Sequence, residues 1–223
     1  MMIFTLLILL KADEWTLVKA KNGITVYTRE VEGSGYLEFR GETTVKSSVD
    51  ALVAVLYDTP IAPEWLHDCS FAMTLEEIGF EDNYIFHIYD LPFPVSNRKV
   101  ILHSKLSYTE EGARLDTEEA NSFCDNKKLS RCQKVKEEGL IKVPRSRGHY
   151  LFIRINEKSS KVIWQQHIEP GGSIPDWLAN ALVVDIPYNS LLHLKELVKD
   201  ENYHDMTAIK LRHMWLEQYQ QFH

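Results

Sequence analysis

The chain has 223 residues, 44% of them hydrophobic and 11% aromatic, which is enough apolar material for one substantial core in a single mixed α/β domain. Its formal net charge is −7, and charged residues of both signs are spread along the sequence. This composition offers no basic surface for phosphate backbones or anionic lipid headgroups, so it argues against nucleic acid as a partner.

The chain begins with a short apolar run from Ile3 to Leu10, which ends at Lys11-Ala12. A transmembrane helix needs about 20 apolar residues, whereas the hydrophobic core of a signal peptide needs about 7–15. We therefore predict that residues 1–12 are a signal peptide and that the protein is exported to the periplasm. The alternative is an N-terminal strand or helix that packs on the domain of a cytoplasmic protein.

The next part of the chain predicts a β-hairpin followed by helices. Residues 23–31 and 36–45 are rich in β-branched and aromatic residues, and the loop between them contains glycine and serine. Two serines then precede residues 49–57, whose apolar side chains recur at three- and four-residue spacing. We predict a serine-capped helix there and place Trp65 on a second short helix.

From residue 71 onward, apolar runs alternate with turn signals, and this pattern predicts a meander of antiparallel strands. The predicted strands are 71–78, 83–91, 98–108, 113–120, 148–156 and 161–169.

Two helical segments complete the chain. Residues 176 to about 199 form a long pattern with one broad apolar face, and Pro187 is expected to kink this helix. Residues 206–222 form a helical tail with a hydrophobic stripe. This stripe either packs on its own domain or binds a partner protein.

The polar segment between the strands holds two of the three cysteines, Cys124 and Cys132, and the third is Cys69. We predict three unpaired thiols, with a Cys124–Cys132 disulfide as the alternative in an exported protein. No second close pair of cysteines or histidines accompanies them, so we predict neither a zinc site nor any other cofactor.

Two motifs give the chain a resemblance to the START (StAR-related lipid transfer) family. The sequence Leu91-Pro-Phe-Pro-Val-Ser-Asn-Arg98 is similar to the proline-containing loop and arginine of START domains. The sequence His167-Ile-Glu-Pro-Gly-Gly-Ser-Ile-Pro-Asp-Trp-Leu178 resembles the turn into their C-terminal helix. One departure is Lys99, because the family often has an acidic residue there. The resemblance implies a START-like domain over 13–200 and a helical tail over 201–223.

This resemblance implies an α+β helix-grip fold, in which a curved antiparallel sheet wraps around a long C-terminal helix. It also implies a hydrophobic tunnel that holds a lipid or another hydrophobic small molecule. We therefore predict a lipid-binding and lipid-transport protein that is a monomer, is not an enzyme and makes transient contact with membranes.

Strand 98–108 supplies the first candidate ligand-binding residues, because its alternation places Arg98, Val100 and Leu102 on the inner face of the sheet. A buried arginine needs a partner, since an unpaired buried charge costs several kcal/mol. We predict either that Arg98 anchors a ligand headgroup or that it forms an internal ion pair with Glu38 or Asp90.

The remaining candidates come from the helices and from strand 83–91. Trp65 either closes one end of the cavity or is a core residue. In strand 83–91 both faces are apolar, so Phe86 and His87, which point to opposite faces, are both candidates. On the long helix, Leu178 and Leu182 are predicted to point into the cavity.

A helix-grip enzyme of the cyclase or hydrolase type is the second hypothesis for function. The sequence contains no nucleophile elbow, phosphate-binding glycine loop, dinucleotide fingerprint or zinc-protease helix. An enzyme of this fold would therefore need a perturbed acid or base in the cavity, and the candidates are His87, His103, Glu38 and Asp90. A protein-interaction module that uses the tail helix is the third hypothesis.

Overall fold

The computed structural model describes residues 14–125, 127–136 and 138–222. The predicted signal peptide, residues 1–12, lies outside the described residues and stays a prediction. Within the described ranges, no helix is both long enough and apolar enough to cross a membrane. In chain order the elements are β1 (Thr16–Lys21), β2 (Ile24–Arg29), β3 (Glu38–Val45), α1 (Val49–Tyr57), α2 (Ala62–Trp65), β4 (Cys69–Gly79), β5 (Asp82–Tyr89), β6 (Arg98–Thr109), β7 (Gly112–Glu119), α3 (Arg131–Lys134), β8 (Ile141–Lys142), β9 (Arg145–Asn156), β10 (Ser159–Glu169), α4 (Asp176–Leu197), α5 (Glu201–His204) and α6 (Ala208–Phe222).

The strands form one sheet in the order β1-β2-β3-β10-β9-β7-β6-β5-β4. All neighbours along this path are antiparallel, as the predicted meander requires. The strand β8 is not part of this order; its two residues pair in parallel with the start of β6. β1 was not predicted, because its six residues are short of a clear alternation of apolar and polar side chains, and most of them are exposed.

The helix α4 crosses the concave side of the sheet and packs against β2 and β3. Gly41 of β3 allows this close approach, because a Cβ atom there would lie 2.8 Å from Leu191 Cδ1 and 3.2 Å from Pro187 Cβ. The helix runs through Pro187 without interruption. The predicted helix-grip fold is confirmed.

The helices α1, α5 and α6 pack together, and α1 also contacts β7 and β9 of the sheet. The Ser48 hydroxyl accepts a hydrogen bond from the Ala51 amide at 3.1 Å, so α1 has the predicted serine cap. The tail helices α5 and α6 pack on α1. There, the Tyr203 hydroxyl donates to an Asp58 carboxylate oxygen at 2.7 Å, and Leu211 joins the main core. The described part of the tail therefore packs on its own domain.

The segment between β7 and β9 covers the outer face of β4, β5 and β6. It contains a disulfide between Cys124 and Cys132, so the prediction of unpaired thiols is wrong for these two residues and correct for the buried Cys69. Both bonded cysteines pack in an apolar cluster with Phe86 and Ile101 of the sheet. The sequence favoured free thiols because it did not show that this polar segment folds back on a hydrophobic surface.

Removing the disulfide by the double change Cys124→Ser and Cys132→Ser is expected to lower the free energy of unfolding by about 2.5 kcal/mol, because the closed loop restricts the unfolded chain. The melting temperature should fall by roughly 5–10 °C. Thermal unfolding of the wild type with and without a reductant measures the same effect, and the double variant is the control that should not respond. A wild-type melting temperature that is the same with and without the reductant would contradict this prediction.

Candidate functional site

An internal cavity lies between the concave face of the sheet, the end of α1, α2 and the first half of α4. Its empty volume is about 1170 Å³, including the part open to solvent. Small-molecule sites are concave and are lined mainly by apolar side chains, with a few polar groups. The cavity fits this description, since its lining is mostly aliphatic and aromatic.

Six of the eight predicted site residues line this cavity: Trp65, His87, Arg98, Val100, Leu102 and Leu182. The alternation in β6 therefore assigned its inner face correctly. Trp65 is at the same time a core residue, only 4% exposed, and its ring packs edge to face on Tyr150 with centroids 6.3 Å apart. Contact of these residues with a ligand stays a prediction.

Phe86 and Leu178 do not line the cavity, and their predicted positions are corrected. Phe86 points to the outer face of β5, where the disulfide segment covers it and its ring packs against Phe71 at 6.3 Å. Both faces of β5 are thus buried, which is why the sequence could not distinguish them. Leu178 is buried in the first turn of α4, but the lining on this helix begins one turn later, at Leu182.

Arg98 is held by backbone carbonyl groups. Its Nε donates to the Pro170 oxygen at 3.0 Å, its Nη2 donates to the Gly171 oxygen at 2.8 Å, and its Nη1 donates to the Ser96 oxygen. Burial lowers the pKa of the guanidinium from its ordinary value, yet an arginine keeps its charge at any physiological pH. The side chain therefore ties the loop before β6 to the turn that leads into α4.

The predicted ion pair of Arg98 with Glu38 or Asp90 is wrong. Glu38 accepts hydrogen bonds from Arg29 Nε at 2.5 Å and from Gln165 Nε2 at 2.8 Å. Asp90 accepts from Asn97 Nδ2 at 2.7 Å, within the loop between β5 and β6. Carbonyl groups of a turn satisfy the arginine instead, and such acceptors carry no signal in the sequence.

Lys99, the departure from the family pattern, lies on the outer face of β6. Its Nζ donates to the Val135 carbonyl oxygen at 2.9 Å, in the segment that follows the disulfide loop. Lys99 thus links the segment between β7 and β9 to the sheet by a charge-assisted hydrogen bond.

His87 points into the cavity and is 6% exposed. Burial lowers the pKa of its imidazole to about 4, so the ring is neutral at pH 7. Its Nδ1 forms a hydrogen bond with the Tyr89 hydroxyl at 3.1 Å. Of the four acids and bases considered for an enzyme, His87 alone lines the cavity.

The lowered pKa of His87 predicts a loss of stability in mild acid. The unfolded chain takes up a proton at its ordinary pKa, about 6.5, whereas the folded chain does so near 4. Stability contributed by the neutral ring is therefore present above pH 6.5 and is lost as the pH falls towards 4, by about 3 kcal/mol in total.

The variant His87→Gln should lack this part of the pH dependence, as measured by urea unfolding between pH 7 and pH 4. The exposed His213→Gln is the matched control and should behave like the wild type. If the free energy of unfolding changed equally with pH in the wild type and in His87→Gln, the lowered pKa of His87 would be contradicted.

Sequence reasoning missed several polar residues of the lining. One is Asp68, which lies in the turn between α2 and β4 with φ 60°, and whose carboxyl pKa is raised by burial. The others are on the strands, where an alternating polar residue is usually interpreted as facing solvent. The missed strand residues are Asn83, Thr117, Ser146 and Gln166. Across the described ranges, no group of three or more His, Cys, Asp or Glu is placed to hold a metal ion.

The fold and the cavity define a helix-grip protein with an internal, mostly apolar chamber. The START domain family model matches residues 1–200, so the chain belongs to the START domain family. An uncharacterized protein of Pseudomonas aeruginosa is 33% identical over 184 residues, which cover 82% of this chain and 86% of that protein. The phosphatidylcholine transfer protein of Rattus norvegicus is 27% identical over 203 residues, which cover 89% of each chain.

Solved structures show the same fold. A crystal structure of a fragment of the STAR-related lipid transfer protein from Xanthomonas axonopodis superposes with a TM-score of 0.72. The two sequences are 32% identical, and the match covers 84% of this chain and 100% of that one.

Proposed function

We propose that this protein binds a lipid or another elongated hydrophobic molecule in the internal cavity and carries it between membranes. The observation that supports this most strongly is the apolar cavity beneath α4, with Val100, Leu102 and Leu182 in its lining. The similarity of the chain to proteins named for lipid transfer agrees with this proposal. The driving force is removal of hydrocarbon from water.

Affinity for a homologous series of ligands tests this function. Burying one methylene group contributes about 0.8 kcal/mol, which corresponds to a roughly fourfold gain in affinity for each added carbon. We expect the affinity for straight-chain alcohols of increasing length to rise in this way and then to level off when the cavity is full. Displacement of a fluorescent apolar probe measures the series, and an affinity independent of chain length would contradict the proposal.

We also propose that the cavity binds its ligand without catalysing a reaction. Two of the titratable side chains in the lining already have partners: His87 is hydrogen-bonded to Tyr89, and Arg98 is hydrogen-bonded to three carbonyl groups. A helix-grip enzyme remains the competing function. Recovery of bound ester and lactone probes chemically unchanged after long incubation supports the carrier. Conversion of these probes by the wild type, together with loss of that conversion in His87→Gln, supports the enzyme.

We propose that the protein is exported and acts as a monomer without a nucleic-acid partner. The apolar run at residues 3–10 supports export, because it has the length of a signal-peptide core. The Cys124–Cys132 disulfide supports an oxidising compartment. The net charge of −7 argues against binding to nucleic acid. Mass measurement of the protein recovered from the periplasm should give a chain that begins near Asp13.

Transient membrane contact is proposed at the end of the molecule where Arg98 joins two loops. Phe93, in the loop before β6, is 97% exposed, and Trp177, at the start of α4, is 68% exposed. Aromatic side chains are favoured at the membrane–water interface. Replacing both residues with serine should weaken co-sedimentation with phosphatidylcholine vesicles, whereas replacing the exposed Ile155 with serine should not.

A further inference from the structure

A row of uncharged polar side chains crosses the concave face of the sheet inside the cavity. Asn83 of β5 pairs with Ser104 of β6, and Ser104 pairs with Thr117 of β7. Thr117 pairs with Gly148 of β9, and Gly148 pairs with Gln166 of β10. Asn83, Ser104, Thr117 and Gln166 all line the cavity, and we call these four residues the polar row.

Gly148 makes the row continuous, because it leaves space for the Gln166 side chain. A Cβ atom at position 148 would lie 2.1 Å from the Gln165 carbonyl oxygen and 2.3 Å from Gln166 Oε1, so no larger residue fits there. The Thr117 hydroxyl donates to this Oε1 at 3.3 Å, and Gln166 Nε2 donates to the Ser146 hydroxyl at 2.9 Å. Thr117 and Gln166 are therefore held in place by hydrogen bonds that join β7, β9 and β10.

Apolar residues lie on both sides of the polar row. On one side, the next inward positions are Leu115, Tyr150 and Trp164, which pair with one another across β7, β9 and β10. On the other side, the next inward positions of β5 and β6 are Ile85 and Leu102. A ligand that fills the cavity therefore meets one band of polar groups between hydrocarbon surfaces.

Three polar atoms of the lining are buried and have no hydrogen-bond partner within the protein. They are the Asn83 Oδ1, the Tyr57 hydroxyl and the Trp65 Nε1. Asn83 is 9% exposed, and it shares a second, smaller pocket with Tyr57, so these two residues lie at the same end of the cavity. A buried polar group without a partner is costly, and a ligand group or a water molecule removes that cost.

The polar row contains no charge, and the charged residues of the lining do not complement a phosphate. Arg98 directs its guanidinium to backbone carbonyls. Asp68, the carboxylate among the described lining residues, would repel an anion. The surroundings suit an uncharged oxygen-bearing group, because a hydroxyl can donate to Asn83 and a carbonyl can accept from Trp65.

We propose that the polar row, and Asn83 within it, selects an uncharged lipid with a hydroxyl or ester group and discriminates against phospholipids. This inference rests on the proposed lipid-binding function and names the ligand class of the same cavity. The oxygen-bearing group lies at the polar row, and the hydrocarbon lies against Ile85, Val100 and Leu102.

Two lipids with identical acyl chains test this selection. Dioctanoylglycerol and dioctanoyl phosphatidylcholine differ only in the phosphocholine group, and both are measured below their aggregation concentrations by titration calorimetry. We expect dioctanoylglycerol to bind at least 10-fold more tightly, because the phosphate would have to lose its hydration without gaining a partner. Tighter binding of the phosphatidylcholine would overturn the inference and leave the proposed function intact. Binding of neither lipid would overturn both.

The variant Asn83→Leu assigns the selection to a residue. It should weaken dioctanoylglycerol binding about 10-fold while leaving the melting temperature unchanged or raised, because Asn83 Oδ1 bonds to nothing within the protein. Asn202→Leu, at an exposed asparagine of α5 that does not line the cavity, is the matched control and should keep the wild-type affinities for both lipids. An Asn83→Leu protein with an unchanged ratio of the two affinities would overturn the role of the polar row.

Discussion

Leu182→Glu is expected to weaken binding of an apolar ligand by at least about 100-fold, while the protein stays folded. Leu182 lines the cavity from α4, where it is only partly buried in the free protein, so the glutamate side chain can reach water when no ligand is bound. A bound hydrocarbon would seal the carboxylate away from water. The effective cost of dehydrating an ion is several kcal/mol, and about 2.8 kcal/mol already corresponds to 100-fold in affinity.

Val184→Glu, two residues further along α4, is the matched control for this prediction. Val184 is also partly buried but does not line the cavity. Displacement of a fluorescent probe should therefore show near wild-type affinity for Val184→Glu and a large loss for Leu182→Glu, with both proteins retaining a cooperative thermal transition. Equal affinities for the two variants would place the ligand away from α4.

Arg98→Ala is expected to lower the free energy of unfolding by about 4 kcal/mol, because it removes three hydrogen bonds from a buried guanidinium to two separate loops. The corresponding fall in melting temperature is roughly 10 °C. Arg98→Lys should recover only part of this loss, since a single ammonium group cannot reproduce the planar set of donors. The exposed Arg154→Ala is the control and should change stability by no more than about 0.5 kcal/mol.

Ligand binding by Arg98→Ala separates the structural role from a headgroup anchor. If Arg98 joins the two loops, affinities for acidic and neutral ligands of equal length should decrease together, because the end of the cavity is loosened for both. A stable Arg98→Ala protein that loses affinity only for acidic ligands would restore the anchor hypothesis. Measuring the melting temperature and both affinities on the same preparation decides between them.

Much of the fold could be predicted because its strands and helices have clear local patterns. The strand predicted over 98–108 appears as β6, and the helix predicted from residue 176 appears as α4. The strand β1 is mostly exposed, and it is held in place by pairing with β2 and by contacts of Lys19 with α4. Pairing of this kind is a tertiary effect that no local pattern records.

The cavity was harder to predict than the fold, for two physical reasons. The disulfide segment buries the outer face of β5, so Phe86 and His87 lie in equally apolar surroundings and periodicity could not separate them. Arg98 is satisfied by carbonyl groups at Pro170 and Gly171, more than 70 residues away in the chain. Backbone acceptors exist at every residue, so the sequence suggested carboxylates instead.

Native mass spectrometry of the protein purified from its own host tests the central claim most directly, since it detects a carried molecule without assuming its identity. We expect a defined mass addition of one lipid per chain, which is present in the wild type and in Val184→Glu and is absent from Leu182→Glu. A wild-type protein that has only the mass of its polypeptide, and that takes up no apolar probe added afterwards, would contradict the claim that this cavity carries a lipid.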